Sequence, residues 1–120
     1  IFLTGDTHAS WAFEVVADPL QKVQKTYRPL AVEFGTTSIS STNSNESMPD
    51  DSVKVREEAY LKSNPHLKFV NQRDHGYLLL TLTGEEAKAE WYFVSTVLRP
   101  DKTETLAKTL LVKRNSHALQ

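Results

Sequence analysis

Apolar residues come in short runs separated by polar breaks, and most runs carry the two-residue period of β-strands. Ile1-Phe2-Leu3-Thr4 is short, apolar and partly β-branched, which predicts a buried strand. From Trp11 to Val16, the residues Trp11, Phe13 and Val15 alternate with Ala12, Glu14 and Val16, as in a strand with one buried face. Asp18-Pro19 ends that run, and residues 20–28 read as a loop or a short helical turn. Leu30 to Phe34 is a third strand. Residues 35–52 hold almost no large apolar side chains and form a long polar loop, a kind of segment that is usually functional or mobile.

A helix then runs to about Ser63, with Asp50, Asp51 or Ser52 available to cap it. Val53, Ala59, Tyr60 and Leu61 can share its inner side, with charged residues on the rest and an i,i+4 pair such as Glu58 and Lys62. Asn64-Pro65 stops it, because the residue before proline disfavours the helical region. The remainder is β in pattern. Leu67 to Val70 is a short strand, Tyr77 to Thr83 is apolar enough to be central, and Ala87 to Val97 returns through a Gly84 link as an antiparallel hairpin. Ala87, Ala89, Trp91 and Phe93 lie on one face of that returning strand. Thr103 to Val112 is a last strand, although Leu106, Leu110 and Leu111 also fit a helix, and the tail from Lys113 is expected to fray. The pattern predicts an α+β chain, mainly antiparallel β-sheet with one or two helices.

Composition narrows the chemistry. Fourteen Lys/Arg against fifteen Asp/Glu give a formal charge of −1, which argues against binding nucleic acid or a membrane surface by bulk electrostatics. With no cysteine, disulfides, zinc–thiolate sites and cysteine nucleophiles are excluded. No apolar stretch approaches the roughly 20 residues of a spanning helix. The chain starts at Ile1, inside what reads as a core strand, with neither Met nor a signal-peptide pattern. The expectation is therefore residues 1–120 as a single domain or as a fragment of a larger one.

The first strand runs into Gly5-Asp6-Thr7-His8-Ala9-Ser10-Trp11, where a carboxylate and an imidazole stand two positions apart after a glycine turn. Ala31-Val32-Glu33-Phe34-Gly35 leads into a Ser/Thr loop. Asn64-Pro65-His66-Leu67-Lys68-Phe69 follows the helix, and Asp74-His75-Gly76-Tyr77 opens a strand whose partner carries Ala89-Glu90-Trp91-Tyr92-Phe93. In this order and spacing, over about residues 1–97, the chain resembles the PhoD-like family of alkaline phosphatases, within the metallophosphoesterase superfamily.

The resemblance implies two packed β-sheets flanked by helices, of which this chain would be the C-terminal part of a metallophosphoesterase-like β-sandwich. It implies metal-dependent hydrolysis of phosphate mono- or diesters by an extracellular, periplasmic or cell-wall-associated protein, with iron and calcium as the family's metals. Where the superfamily's loop carries His-x-His, Asp6 stands in place of the first histidine, so Asp6 and His8 are the metal-ligand candidates. Asn64 and His66 are candidates to face the substrate phosphate, against the plain reading of Asn-Pro as a helix stop. Such sites take further ligands from earlier segments, an acidic motif, a bridging aspartate and an asparagine, and none lies in these residues. The isolated chain is expected to be inactive or nearly so.

Bland readings compete elsewhere. Trp11 is expected in the core, His75 at the surface beside its glycine, and His117 in the tail. Ser38, Ser40 and Ser41 invite a serine-nucleophile reading with His8 or His66, but no nucleophile elbow surrounds them. The alternative from another class is a non-catalytic β-rich binding module whose exposed strand edges would let copies pair.

Overall fold

The computed structural model describes residues 1–18 and 27–120, so the expected loop or turn over 20–28 falls almost wholly outside the described residues. Among the described residues seven strands form two sheets: β1 (Phe2–Thr4), β2 (Ser10–Val15), β3 (Ala31–Gly35), β4 (Leu67–Asn71), β5 (Gly76–Leu82), β6 (Glu86–Val94) and β7 (Glu104–Lys113). One α-helix, α1 (Asp50–Ser63), and a 3-10 turn at Ser44–Glu46 sit between β3 and β4. The first sheet has the order β1-β3-β2-β4, with β1 parallel to β3 and the other pairs antiparallel. The second is an antiparallel meander, β5-β6-β7. The expected α+β arrangement of mainly antiparallel sheet is what forms.

The sheets pack face to face as a β-sandwich. Ala12, Val32 and Phe34 from the first meet Ala87, Ala89, Trp91, Leu110 and Val112 from the second. Alanines at three of these positions leave the volume that Trp91, Phe34 and Phe69 fill, the large-against-small interdigitation of a dense core. Trp91 is fully buried, meets Phe34 edge-on at 5.7 Å and Phe69 at 5.0 Å, and donates its indole N–H to the Gly35 carbonyl at 2.9 Å. That bond crosses between the sheets and satisfies the one polar atom of the largest core side chain.

Several expectations change. β1 is not buried: Phe2 and Leu3 are 56% and 60% exposed, because among the described residues β1 is an edge strand paired with β3 alone. Along β2 the inward face is Ser10, Ala12 and Glu14, while Trp11 and Phe13 lie half-buried on the outer face. The core tryptophan is Trp91, and Trp11 stacks instead on Phe13 and approaches the Tyr60 ring of α1. β5 is an edge strand and β6 is central, with Tyr77 and Leu79 left on the outer face.

In α1 only Val53 is buried, and Tyr60 and Leu61 remain 38% and 41% exposed. The helix begins with Asp50 after Pro49 and has no side-chain cap. Its inner side is fastened to the end of β4 by polar bonds, Arg56 Nε to Gln72 Oε1 at 2.8 Å and the Gln72 N–H to Glu57 Oε1 at 2.6 Å. The C-terminal tail does not fray. Leu111 and Gln120 exchange two backbone hydrogen bonds at 2.9 Å, and the Leu119 N–H donates to Glu14. Among the described residues no helix is long and apolar enough to cross a membrane.

Candidate functional site

The turn between β1 and β2 carries both candidate metal ligands, and its backbone is bent at those residues. Asp6 has φ 72° and His8 has φ 52°, the left-handed region that side-chain-bearing residues enter at a cost of about 1–3 kcal/mol. Asp and His are among the residues that tolerate it best. Gly5, expected to supply the special backbone, takes no positive φ. The bend therefore falls on the two functional candidates themselves. Thr7 between them accepts a hydrogen bond from the Trp11 indole at 2.8 Å, which ties the turn to the start of β2.

His8 is half-buried, and its Nδ1 lies 2.8 Å from the Thr42 carbonyl. A carbonyl only accepts, so Nδ1 carries a proton, and in the neutral ring Nε2 keeps its lone pair. This is the arrangement by which a metal-ligating histidine is held, one ring nitrogen donating to a backbone carbonyl and the other left basic. Asp6 is exposed, with its hard carboxylate oxygens facing outward on the same turn. A shallow groove runs beside the turn between Thr7–His8 and the segment 42–47. The donor chemistry of Asp6 and His8 suits a metal, but two side chains do not complete a coordination sphere. Among the described residues no group of three or more His, Cys, Asp or Glu is placed to hold an ion.

The structure does not bring Asn64 and His66 to this turn. Asn64 ends α1, with both its backbone N–H and its Nδ2 donating to the Tyr60 carbonyl at 3.0 and 2.9 Å. The His66 carbonyl accepts from the Glu14 N–H at 2.8 Å, and its ring stacks on Phe13 at 5.7 Å. Glu14 lies near the far end of β2 from the turn. Four residue-to-residue steps of extended strand take the chain from Ser10 to Glu14, roughly 13 Å at about 3.3 Å per step. The contacts of Asn64 are those of a residue that ends a helix.

Residues read as plain loop or surface instead gather next to the turn. Ser38 Oγ donates to the Asn43 Oδ1 at 2.9 Å and to the Ser41 carbonyl, and Asn43 Nδ2 reaches Thr37 Oγ1 at 3.1 Å and the Arg73 carbonyl at 3.2 Å. The Asn43 N–H donates to Glu46 Oε1 at 2.9 Å. His75 spans the group, with Nδ1 at 3.1 Å from the Ser38 carbonyl and Nε2 at 3.0 Å from Glu46 Oε1. The Asn43 N–H, and then the His75 ring, hold the Glu46 carboxyl below its ordinary pKa. One sequence signal could have found part of this. Asn43-Ser44-Asn45-Glu46 has the capping-box spacing, and the structure makes the box. No local pattern announces His75.

With this geometry in place, the chain can be set beside known proteins. The sequence profile described as PhoD-like phosphatase fits residues 1–91. Over 120 residues the chain is 28% identical to alkaline phosphatase D of Bacillus subtilis (strain 168), a match covering 100% of this chain and 19% of that protein. A solved structure of PhoD matches with a TM-score of 0.75 at 26% identity, covering 98% of this chain and 21% of that one. The chain thus spans about a fifth of the length of these relatives.

Proposed function

The chain belongs to the PhoD-like phosphatase family, and from that premise we propose that Asp6 and His8 are two ligands of a metal-dependent phosphoesterase centre completed by residues outside these 120. The observation that carries the proposal is the bond from His8 Nδ1 to the Thr42 carbonyl, which leaves Nε2 as the ligating nitrogen. Asp6 offers hard oxygens suited to calcium, and an imidazole suits a transition ion such as iron. Bound metal would supply Lewis-acid polarisation of a phosphate ester and favour attack by water. The chain's own residues hold and orient the donors: Thr42 fixes the His8 ring, and Thr7 with Trp11 fixes the turn that presents Asp6.

The test is hydrolysis of nitrophenyl phosphate mono- and diesters by a polypeptide of the relatives' full length that contains this segment. Chelator should abolish turnover. Asp6→Asn and His8→Gln should each lower kcat/KM by more than the roughly tenfold to hundredfold typical of losing an outer-shell partner. The 120 residues alone should show no turnover. Full activity in Asp6→Asn would remove that residue from the centre.

A second reading draws on β1. Phe2 and Leu3 are 56% and 60% exposed on a strand that, among the described residues, is paired on one side only, and such an edge can recruit a second strand. If the chain acts as a self-associating module, its mass by light scattering should rise with concentration and Leu3→Lys should suppress the rise. A constant monomer mass rejects that reading.

A further inference from the structure

The geometry points to Ser38, Asn43, Glu46 and His75 as positioning residues for His8, a network that holds the Thr42 carbonyl where it selects the ligating nitrogen. This rests on the reading of the β1–β2 turn as a metal-binding turn. His8 is oriented by one bond to a carbonyl 34 residues away, in a segment with no ladder of its own. Thr42 is itself exposed, so the carbonyl is only as fixed as its neighbours. The next residue, Asn43, is 4% exposed and uses its backbone N–H, its Oδ1 and its Nδ2 within the network. The following N–H, from Ser44, donates to the Gln72 carbonyl at 3.0 Å. His75, whose side chain is 10% exposed, joins Ser38 to Glu46 and so clasps both ends of the 38–46 segment.

Ser38, His75 and Glu46 also have the composition of a nucleophile triad, and the hydrogen-bond directions decide against it. The Ser41 carbonyl and Asn43 Oδ1 are acceptors that already take the single Ser38 hydroxyl proton. The imidazole nitrogen facing Ser38 Oγ, Nδ1 at 3.2 Å, also faces the Ser38 carbonyl and so carries a proton. It has no lone pair with which to act as a base on that hydroxyl. What remains is a clasp whose output is the placement of Thr42.

The experiment reads the His8 ring directly, by two-bond 1H–15N NMR of the 120-residue protein, with the Trp91 indole resonance as the marker of an intact fold. In the wild type the Nδ1–H form of His8 should predominate. His75→Ala and Ser38→Ala, with the Trp91 marker in place, should shift the ring toward the Nε2–H form. They should also weaken Mn2+, followed by line broadening at Asp6 and His8, by about tenfold or more. His75→Gln, which keeps a donor towards Ser38 or Glu46, should recover part of the tautomer bias. If His75→Ala loses the Trp91 marker, Ser38→Ala carries the test, since it removes one hydroxyl and leaves the bridge to Glu46. An unchanged tautomer in folded Ser38→Ala overturns the positioning role even if Mn2+ binds. A wild type that shows the Nδ1–H tautomer and its loss in the variants, but no Mn2+ broadening at Asp6 or His8, supports the positioning role and counts against the metal reading instead.

Discussion

Glu14 is a carboxylate on the core-facing side of a β-strand, and replacing it gives the sharpest stability test of this fold. It is 4% exposed and takes three donors: the Tyr27 hydroxyl at 2.7 Å, Lys68 Nζ at 3.0 Å and the Leu119 N–H at 2.8 Å. Burial pushes its pKa up, but the bonds from Tyr27, Leu119 and Lys68 and the Lys68 charge outweigh burial and leave the group below its ordinary value. Burial, and then the bond to Glu14, raise the Tyr27 hydroxyl in turn. Glu14→Ala removes the acceptor of all three donors. Lys68 keeps 35% of its side chain exposed and can return to water, so its share is small. The partly buried Tyr27 hydroxyl and Leu119 N–H would each lose about 1–3 kcal/mol, partly offset because the carboxylate's own desolvation disappears. The expected net loss is about 3 kcal/mol for Glu14→Ala. Glu14→Gln keeps an acceptor for Leu119 and should lose about 1–2 kcal/mol.

The pH dependence gives a second handle on the same residue. Because the folded pKa lies below the unfolded one, the Glu14 contribution is complete above the unfolded value, about 4.3, and is lost as pH falls through the folded value. Urea denaturation of wild type and Glu14→Gln between about pH 7 and about pH 2 should therefore show a stability gap that closes on the acid side. A gap that stays constant with pH, or a Glu14→Ala protein within about 0.5 kcal/mol of wild type at neutral pH, refutes the account.

Two further substitutions probe how the sheets are held. Trp91→Phe removes the donor that reaches the Gly35 carbonyl across the sandwich, together with part of the largest core side chain, and should cost about 2–4 kcal/mol in urea denaturation followed by circular dichroism. A loss below about 0.5 kcal/mol would mean that the inter-sheet bond contributes nothing. Gly76→Ala would set a methyl on the Tyr92 carbonyl oxygen, a backbone atom of the paired strand that cannot swing aside, so β5 should separate from β6 at its first pair with a loss of about 3 kcal/mol or more. A thermal midpoint equal to wild type would show that the strands relax at no cost.

The sequence alone determined roughly where most strands and the helix lie, though not the 3-10 turn at Ser44–Glu46 or the choice of strand over helix for the last element, because a two-residue period and a proline after Asn64 act locally. It also marked out Asp6 and His8 as candidates, because a carboxylate and an imidazole two positions apart are residue types that suit a metal. Tertiary structure decided the rest. A period of two says that β2 has two faces but not which one meets another sheet. Trp11 and Phe13 look like the core face, yet Ala12 is the residue that faces inward, in the same core cluster as Trp91 from the opposite sheet. Tyr77 to Thr83 reads as a central strand from its apolar content, but β6 is central in that sheet because it pairs with both β5 and β7. The contact that orients His8 joins residues 34 apart, and the clasp behind it joins Ser38 to His75, 37 apart. Hydrogen bonds of that span leave no periodic trace in a sequence, since they depend on where β3, α1 and β4 deliver their connecting segments in space.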